Sequence, residues 1–455
     1  MTFLDPLTLS RIQFAVCVSF HYIYPPLSIG LSLILIPLSF LREKDPFWER
    51  SFRFWLRIFA LTFLFGVASG LPLPLSLGTN WANWSKWSGD VSGPFFVAEG
   101  LSSFLVEGTF LALLLYGGLS RMGRKLVCFC TCMVSLGAHL SGFWIVSLNS
   151  WIHDPSGYTI VSLGDGNTKA VLTSFWAAVF NGSTIANVLH VFISAWITAL
   201  FLVIGISAYY AYRERYLPFA QRTLQLSLWA SLACLLLQLV SADHVGRTVA
   251  RRNPTQLAAY EGVYVTERAT PAYAVGWVDS ASQKTYGIKI PGLLSLMVNR
   301  NLEPVQGLDK ADPRYWPNVS VVFQMYHLMV LCWGVMVLFS VLGIWFMHYR
   351  EKFPPFLSWV LMLGSIVPHI ANIAGWSATC MGRQPWIVHK AMLTKDGVTS
   401  NLTLLQTSLS LAGFTVIYFG CFFLFLSFLF YYVRQGPNDI ERSPRIKREE
   451  SCQKE

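Results

Sequence analysis

Long apolar runs separated by short polar punctuation dominate the chain, at residues 12–41, 53–77, 94–117, 125–148, 181–211, 219–241, 319–347, 355–379 and 403–433. Each approximates the roughly 20 apolar residues a helix needs to cross a bilayer. None alternates with the two-residue period of a membrane barrel strand, so the pattern predicts nine spanning helices in one all-α bundle. Between the sixth and seventh runs, Pro254, Pro271, Pro291, Pro304, Pro313 and Pro317 and scattered charges exclude a tenth span. The chain then divides into helices one to six (1–241), a long loop (242–318), helices seven to nine (319–433) and a charged tail (434–455) expected to be disordered. Loops of that length commonly act as lids or binding segments.

Composition agrees with a polytopic membrane protein: of 455 residues, 54% are hydrophobic and only 13% charged, where a soluble domain has about a quarter charged. Basic residues gather in the first, third, fifth and seventh connections and in the tail, among them Arg42, Lys44, Arg121, Arg124, Arg213, Arg215, Arg350, Lys352, Arg445 and Lys447. By the positive-inside rule the N-terminus is outside and the tail cytoplasmic. The net charge of +10 is thereby explained by anchoring at the inner leaflet and needs no nucleic acid. Met1 to Arg11 holds one basic residue and the apolar run after it is too long for a cleaved signal, so the first helix is expected to be retained. No CxxCH attaches a c-type haem and no cysteine spacing matches a zinc site. The nine cysteines read as small apolar residues.

Two acids interrupt the third run, Glu99 and Glu107. A carboxylate at mid-bilayer costs roughly 2.5–3.5 kcal/mol, so the pair needs a partner or a function. On a regular helix a separation of eight residues puts them about 80° apart, so that both can face the bundle interior. Five histidines also fall in the runs: His21, His139, His190, His327 and His369. A hydrogen bond to a neighbouring helix is the ordinary use of such an imidazole. Holding haem iron is the other, with a methionine thioether as the second axial ligand of a low-spin haem.

The ordered motifs narrow the choice. SRIQFAVCVSFHYIYPPLSIGL in helix one, FGVASG and LGTNW around helix two, AEGLSSFLVEGTF in helix three, LSGFWIVSLNSW in four, NVLHVF in five, FQMYHLMV in seven, and PHIANIAGW leading to MGRQPW in eight together resemble subunit I of the cytochrome bd-type quinol oxidases, across essentially all nine spans. The resemblance implies a terminal quinol oxidase of a respiratory chain in the bacterial cytoplasmic (inner) membrane. It oxidises quinol at the outer face and reduces O2 to water at a two-haem site, generating proton motive force by vectorial chemistry without pumping. Its implied cofactors are a low-spin haem b, a high-spin haem b and haem d. The implied partners are subunit II in a heterodimer, a small accessory helix, quinol, O2 and membrane lipid.

Residue by residue, the resemblance puts His190 and Met329 on the low-spin haem and His21 on one of the other two. Glu99 and Glu107 fall beside the oxygen-reducing pair, with Glu99 a candidate iron ligand. Glu261, in QLAAYEG, matches an acid of the quinol site; Gln256 stands where relatives have lysine. Arg383 and Trp386 of the intact GRQPW would hold haem propionates. Three further departures matter. His327 replaces an arginine two residues before Met329, Ile373 replaces a glutamate that ligates the third haem, and Cys380 replaces an acid. Isoleucine has no donor for iron. Glu99 is the first candidate for that role, His369, one turn before Ile373, is the second, and a haem without a protein ligand, or no haem there, is the third. The last case would make the chain a haem-b quinol-binding electron carrier with an impaired oxygen site. A secondary transporter would need paired interrupted spans and internal repeats, and neither is legible.

Overall fold

A computed structural model describes residues 5–119, 121–164, 166–349 and 354–437. The predicted tail beyond residue 437 lies outside the described residues. Among them, nine helices are long and apolar enough to span a membrane: Pro6–Leu41, Pro46–Thr79, Ala82–Tyr116, Arg124–His153, Thr184–Tyr212, Leu217–Arg252, Val319–Tyr349, Pro355–Gly382 and Leu404–Gln435. The all-α bundle expected from hydropathy is therefore present. The fifth span is the axis of the bundle, with 72% of its apolar window buried, whereas the ninth, at 11%, lies on the rim. The described cysteines are all free thiols, eight in number.

Several spans are not continuous α-helices. The first breaks at Tyr22-Ile23, between Pro6–His21 and Tyr24–Leu41. Pro25 and Pro26 open the second segment, where their missing N–H groups cost least, and His21 is left at a helix end. The second span breaks at Leu71 ahead of Pro72, and the eighth at Ser365-Ile366 ahead of Pro368. In the third, Ser102–Gly108 is a π-helix between α-helical Ala82–Leu101 and Thr109–Tyr116. Glu107 lies in that π segment, so the regular-helix spacing expected for the two acids does not hold. A π turn takes more residues than an α turn, which brings Glu107 closer to the line of Glu99 than 80°.

The sixth helix continues to Arg252, past the expected end at 241, because Asp243, Arg247 and Arg251 are polar without being helix breakers. The loop proper is folded: a helix Pro254–Glu261, a short helix Leu293–Asn299 and a hairpin. The hairpins are β1 (Tyr158–Gly164) with β2 (Asn167–Leu172), β3 (Ala272–Asp279) with β4 (Lys284–Ile290), and β5 (Trp386–Val388) with β6 (Met392–Leu393), all antiparallel. An apolar cluster of Leu257, Tyr260, Val278, Val322 and Phe323 fastens the loop to the head of the seventh span.

Candidate active site

The loop helix Pro254–Glu261 is capped by Asn253, whose side chain accepts from the Gln256 N–H, and it stops at Gly262 in the left-handed region. The stop leaves Glu261 only 5% exposed. Burial pushes the Glu261 carboxyl up from the usual carboxylate range, opposed by the charge of His327 and by hydrogen bonding from Tyr326. Both ring nitrogens of His327 lie 2.9 Å from backbone carbonyls, Nδ1 from Phe323 and Nε2 from Tyr273. Carbonyls only accept, so an imidazolium is the form that satisfies both contacts. The histidine at the arginine position therefore keeps a cation's hydrogen-bonding pattern.

Gln256 is 2% exposed and fully used: Nε2 donates to Tyr260 Oη at 2.6 Å and to the Thr379 carbonyl at 3.2 Å, while Oε1 accepts from Asn253 at 3.1 Å. It ties the loop to the eighth span. Tyr260 and Tyr326 stack with centroids 5.0 Å apart and planes at 3°. Beyond them, buried Arg383 donates from Nη1 to His153 Nε2 at 2.8 Å and from Nε to the Trp386 carbonyl at 3.3 Å. No described carboxylate balances it, and its charge is held in a largely apolar setting. A guanidinium with donors to spare and no anion fits a propionate. It lines a cleft of about 350 Å³ with Trp386, His389, Lys390 and Tyr315. Burial first, then Lys390 and Arg383, pull His389 down to about 4.

Two histidines deeper in the bundle are held alike. Nδ1 of His190 lies 3.1 Å from Ser241 Oγ, and Nδ1 of His21 lies 3.0 Å from Ser69 Oγ. Each serine gives its own proton to a carbonyl of its helix, Gln238 at 2.9 Å and Phe65 at 2.7 Å. Each Oγ is thus left to accept, the ring proton sits on Nδ1, and the Nε2 lone pair is the one offered to a metal. Both imidazoles sit deep in the bundle yet keep accessible surface, so they border internal space. The Gln238 amide nitrogen lies 3.1 Å from both nitrogens of His190 and must turn aside for Nε2 to ligate. Met329 packs in the apolar cluster that includes Ile193, one turn beyond His190, and its sulfur faces Gly375, where a Cβ would come within 2.8 Å.

The two acids meet the fourth span. Ser141 donates to Glu99 Oε1 at 3.1 Å. One turn away, a Cβ at Gly137 would come within 2.6 Å of the Glu107 backbone nitrogen, so only glycine permits the approach. Glu107 is 3% exposed, and its Oε1 has no hydrogen-bond partner. Two residues four apart on one helix face thus meet the two acids, Ser141 the Glu99 carboxylate and Gly137 the Glu107 backbone, about 6 Å apart along the axis. A buried, unpartnered carboxyl oxygen is the place where an ion, a proton or a metal is accommodated.

The matches to known proteins bear on this arrangement directly. Residues 9–437 match the family model described as cytochrome bd terminal oxidase subunit I. The chain belongs to that family. It is 29% identical over 441 residues to cytochrome bd ubiquinol oxidase subunit 1 of Bacillus subtilis (strain 168), covering 93% of each chain. It is 28% identical over 518 residues to cytochrome bd-II ubiquinol oxidase subunit 1 of Escherichia coli (strain K12), covering 96% of this chain and 98% of that one. Its fold is that of the bd oxidase from Geobacillus thermodenitrificans, with a TM-score of 0.86 at 24% identity, over 96% of this chain and 100% of that chain.

As a cytochrome bd terminal oxidase subunit I, the chain is a haem-carrying, membrane-embedded oxidoreductase of electron transport. Among the described residues no three His, Cys, Asp or Glu side chains converge as a metal cluster; a haem iron needs only one or two protein ligands. His139 takes no such part: Trp196 Nε1 donates to its Nε2 at 3.1 Å and its Nδ1 lies 2.7 Å from the Ser135 carbonyl, so both nitrogens are used. His369 makes no side-chain hydrogen bond among the described residues. Ile373, on its face one turn on, is 36% exposed. Tyr22, next to His21, meets Trp376 edge to face at 5.3 Å, which joins the broken first span to the eighth. Ser69, Ser241, Ser141, Gly137, Tyr326 and His153 were not legible as site residues, although Ser69, Ser141 and Tyr326 stand inside quoted motifs and His153 just beyond one.

Proposed function

We propose that this chain oxidises quinol at the loop end of the bundle and reduces O2 to water at an inner two-haem site. The observation that carries the reading is the pair of imidazoles, His190 and His21, each held at Nδ1 by a serine of another helix, which leaves Nε2 as the ligating nitrogen once Gln238 turns aside from His190. His190 and Met329 would hold the low-spin haem b. His21, with Glu99 and Glu107 nearby, would serve the high-spin haem b and haem d. When bound, the haems supply one-electron transfer and oxygen reduction; the chain supplies ligands, orientation and proton access.

Glu261 accepts a proton from a quinol hydroxyl, since burial makes its carboxylate more basic against the opposing charge of His327. Tyr326 holds that carboxylate in place by hydrogen bonding and His327 acts on it through charge, while Gln256 anchors the loop without contributing charge. Arg383 and Trp386 orient the propionate side of the haem layer. Glu107 and Glu99 deliver protons taken from the cytoplasmic side. Quinol protons leave outside and oxygen's protons come from inside, so charge separates without a pump. The N-terminus is outside, the tail is cytoplasmic, and a subunit II completes the heterodimer.

For the third haem, Glu99 ranks first as ligand and His369 second. The donor-free Ile373 favours one other reading, a haem-b electron carrier with a disabled oxygen site. The absorption spectrum of the purified complex, taken with quinol-driven oxygen consumption, separates them. Low-spin haem b, a chlorin band and oxygen uptake are expected. Haem b alone without uptake would establish the carrier, and a low-spin band undiminished in His190→Ala would overturn the ligand assignment.

A further inference from the structure

The hairpin β3–β4 presents two unlike faces. Gly276, Val278 and Thr285 lie toward the seventh span and the end of the Glu261 helix: a Cβ at Gly276 would come within 3.5 Å of Phe323, Val278 packs in the cluster with Phe323, and Thr285 Oγ1 donates to the Gly262 carbonyl at 2.6 Å. The opposite face carries the directly paired Val275 and Ile288 and the directly paired Trp277 and Tyr286, whose rings stack at 5.8 Å. All four are apolar and exposed, at 66, 68, 60 and 42%. A water-facing hairpin would carry polar residues at those positions.

Its attachment gives its depth. The Tyr273 carbonyl lies 2.9 Å from His327 Nε2, and the Gly276 carbonyl accepts from Gln324 Nε2 at 3.0 Å. The seventh span has 31 residues, about 46 Å at 1.5 Å per residue. Centred in a hydrocarbon layer of about 30 Å, it places His327 about 10 Å and Gln324 about 15 Å from the midplane. The hairpin is therefore pinned at and just inside the hydrocarbon boundary. Along this face the side chains follow the bilayer's own order: Val275 and Ile288 lie toward the His327 attachment, Trp277 and Tyr286 toward the interface, and the polar tip Asp279–Lys284 beyond, while Lys289, paired with Tyr273, is exposed next to Ile288.

We propose that the Val275, Trp277, Tyr286 and Ile288 face is immersed in the outer phospholipid leaflet and forms the lipid-side wall of the Glu261 site. A membrane-confined quinol then reaches Glu261 from hydrocarbon, past the hairpin edge, rather than from water. This second clause rests on the proposed quinol oxidation; the immersion does not.

The test uses the complete oxidase complex in phospholipid nanodiscs, with Val275→Cys and Ile288→Cys each carrying a nitroxide. Labelled unsubstituted complex supplies the background from native thiols, and an unchanged haem spectrum certifies the fold. Power saturation is expected to show more frequent collision with O2 than with a water-soluble nickel chelate. The reverse order would overturn the proposal, as would an immobilised label shielded from both reagents, which means that protein covers the face. For the access route, Ile288→Glu is expected to raise the KM for a long-chain quinol several-fold more than for a short-chain, water-soluble one; equal shifts would overturn it. Glu261→Gln run alongside separates the claims: if it leaves turnover of both quinols intact while the nitroxides report lipid, the quinol role of Glu261 fails and the immersed surface stands.

Discussion

Ser241 and Ser69 decide which nitrogen of each deep histidine faces inward, although neither would touch a haem. Removing the acceptor frees the ring to rotate and to change tautomer, so Ser241→Ala is expected to weaken retention of the low-spin haem roughly 10–100-fold, the usual cost of losing a partner behind a metal ligand. Haem titration of the stripped complex, followed at the low-spin band, measures this. Glu261 allows a sharper test. Its acceptor form is the carboxylate, and burial raises its pKa, so quinol oxidation should be low at acid pH and rise as pH climbs through that raised value. Glu261→Gln should flatten the acid limb and slow the reaction roughly 10²–10⁴-fold, the range of a lost general base. Sequence reached the titratable groups because an acid or imidazole inside an apolar run is rare. It missed the serines because a serine in a helix is common, and its role depends on which ring another helix brings to it.

At the scale of elements, hydropathy located all nine spans, since burial in a bilayer demands a long apolar run whatever the neighbours do. The interruptions were less legible. Pro25 and Pro26 or Pro368 can be tolerated inside a spanning helix, and whether the chain breaks there is settled by what the neighbouring spans satisfy. The π segment has no proline at all. Its position follows from contacts with the fourth span, where Gly137 admits the Glu107 backbone. Gly137→Val should force the two helices apart at a cost of about 1–3 kcal/mol. A lower thermal unfolding midpoint of the complex, with oxygen reduction impaired more than quinol binding, is the expected result. The loop was legible only as a loop: its hairpin alternates too weakly to read as strands, because one of its faces carries two glycines, with Gly276 against Phe323, and the other is apolar.

For the whole molecule, charge asymmetry predicts orientation, and a reporter fused after Gln435 checks it. Green fluorescence should develop there, because that protein folds in the cytoplasm, whereas alkaline phosphatase at the same place should stay inactive; the opposite pair of results would invert the proton economy proposed above. The rim position of the ninth span, so little buried within this chain, leaves that helix for lipid or for a partner subunit, whereas the fifth is committed to this chain alone. The π segment of the third span has a consequence of a different kind, because it holds one residue more than an ordinary helix would use for the same turn. Deleting one residue such as Val106 would let the 7-residue segment relax to an α-helix of one residue fewer that turns through nearly the same angle, roughly 600° against 570°. Thr109–Tyr116 would then keep its stripe toward its neighbours, whereas the same deletion inside the unbroken fifth span would turn everything after it by about 100°.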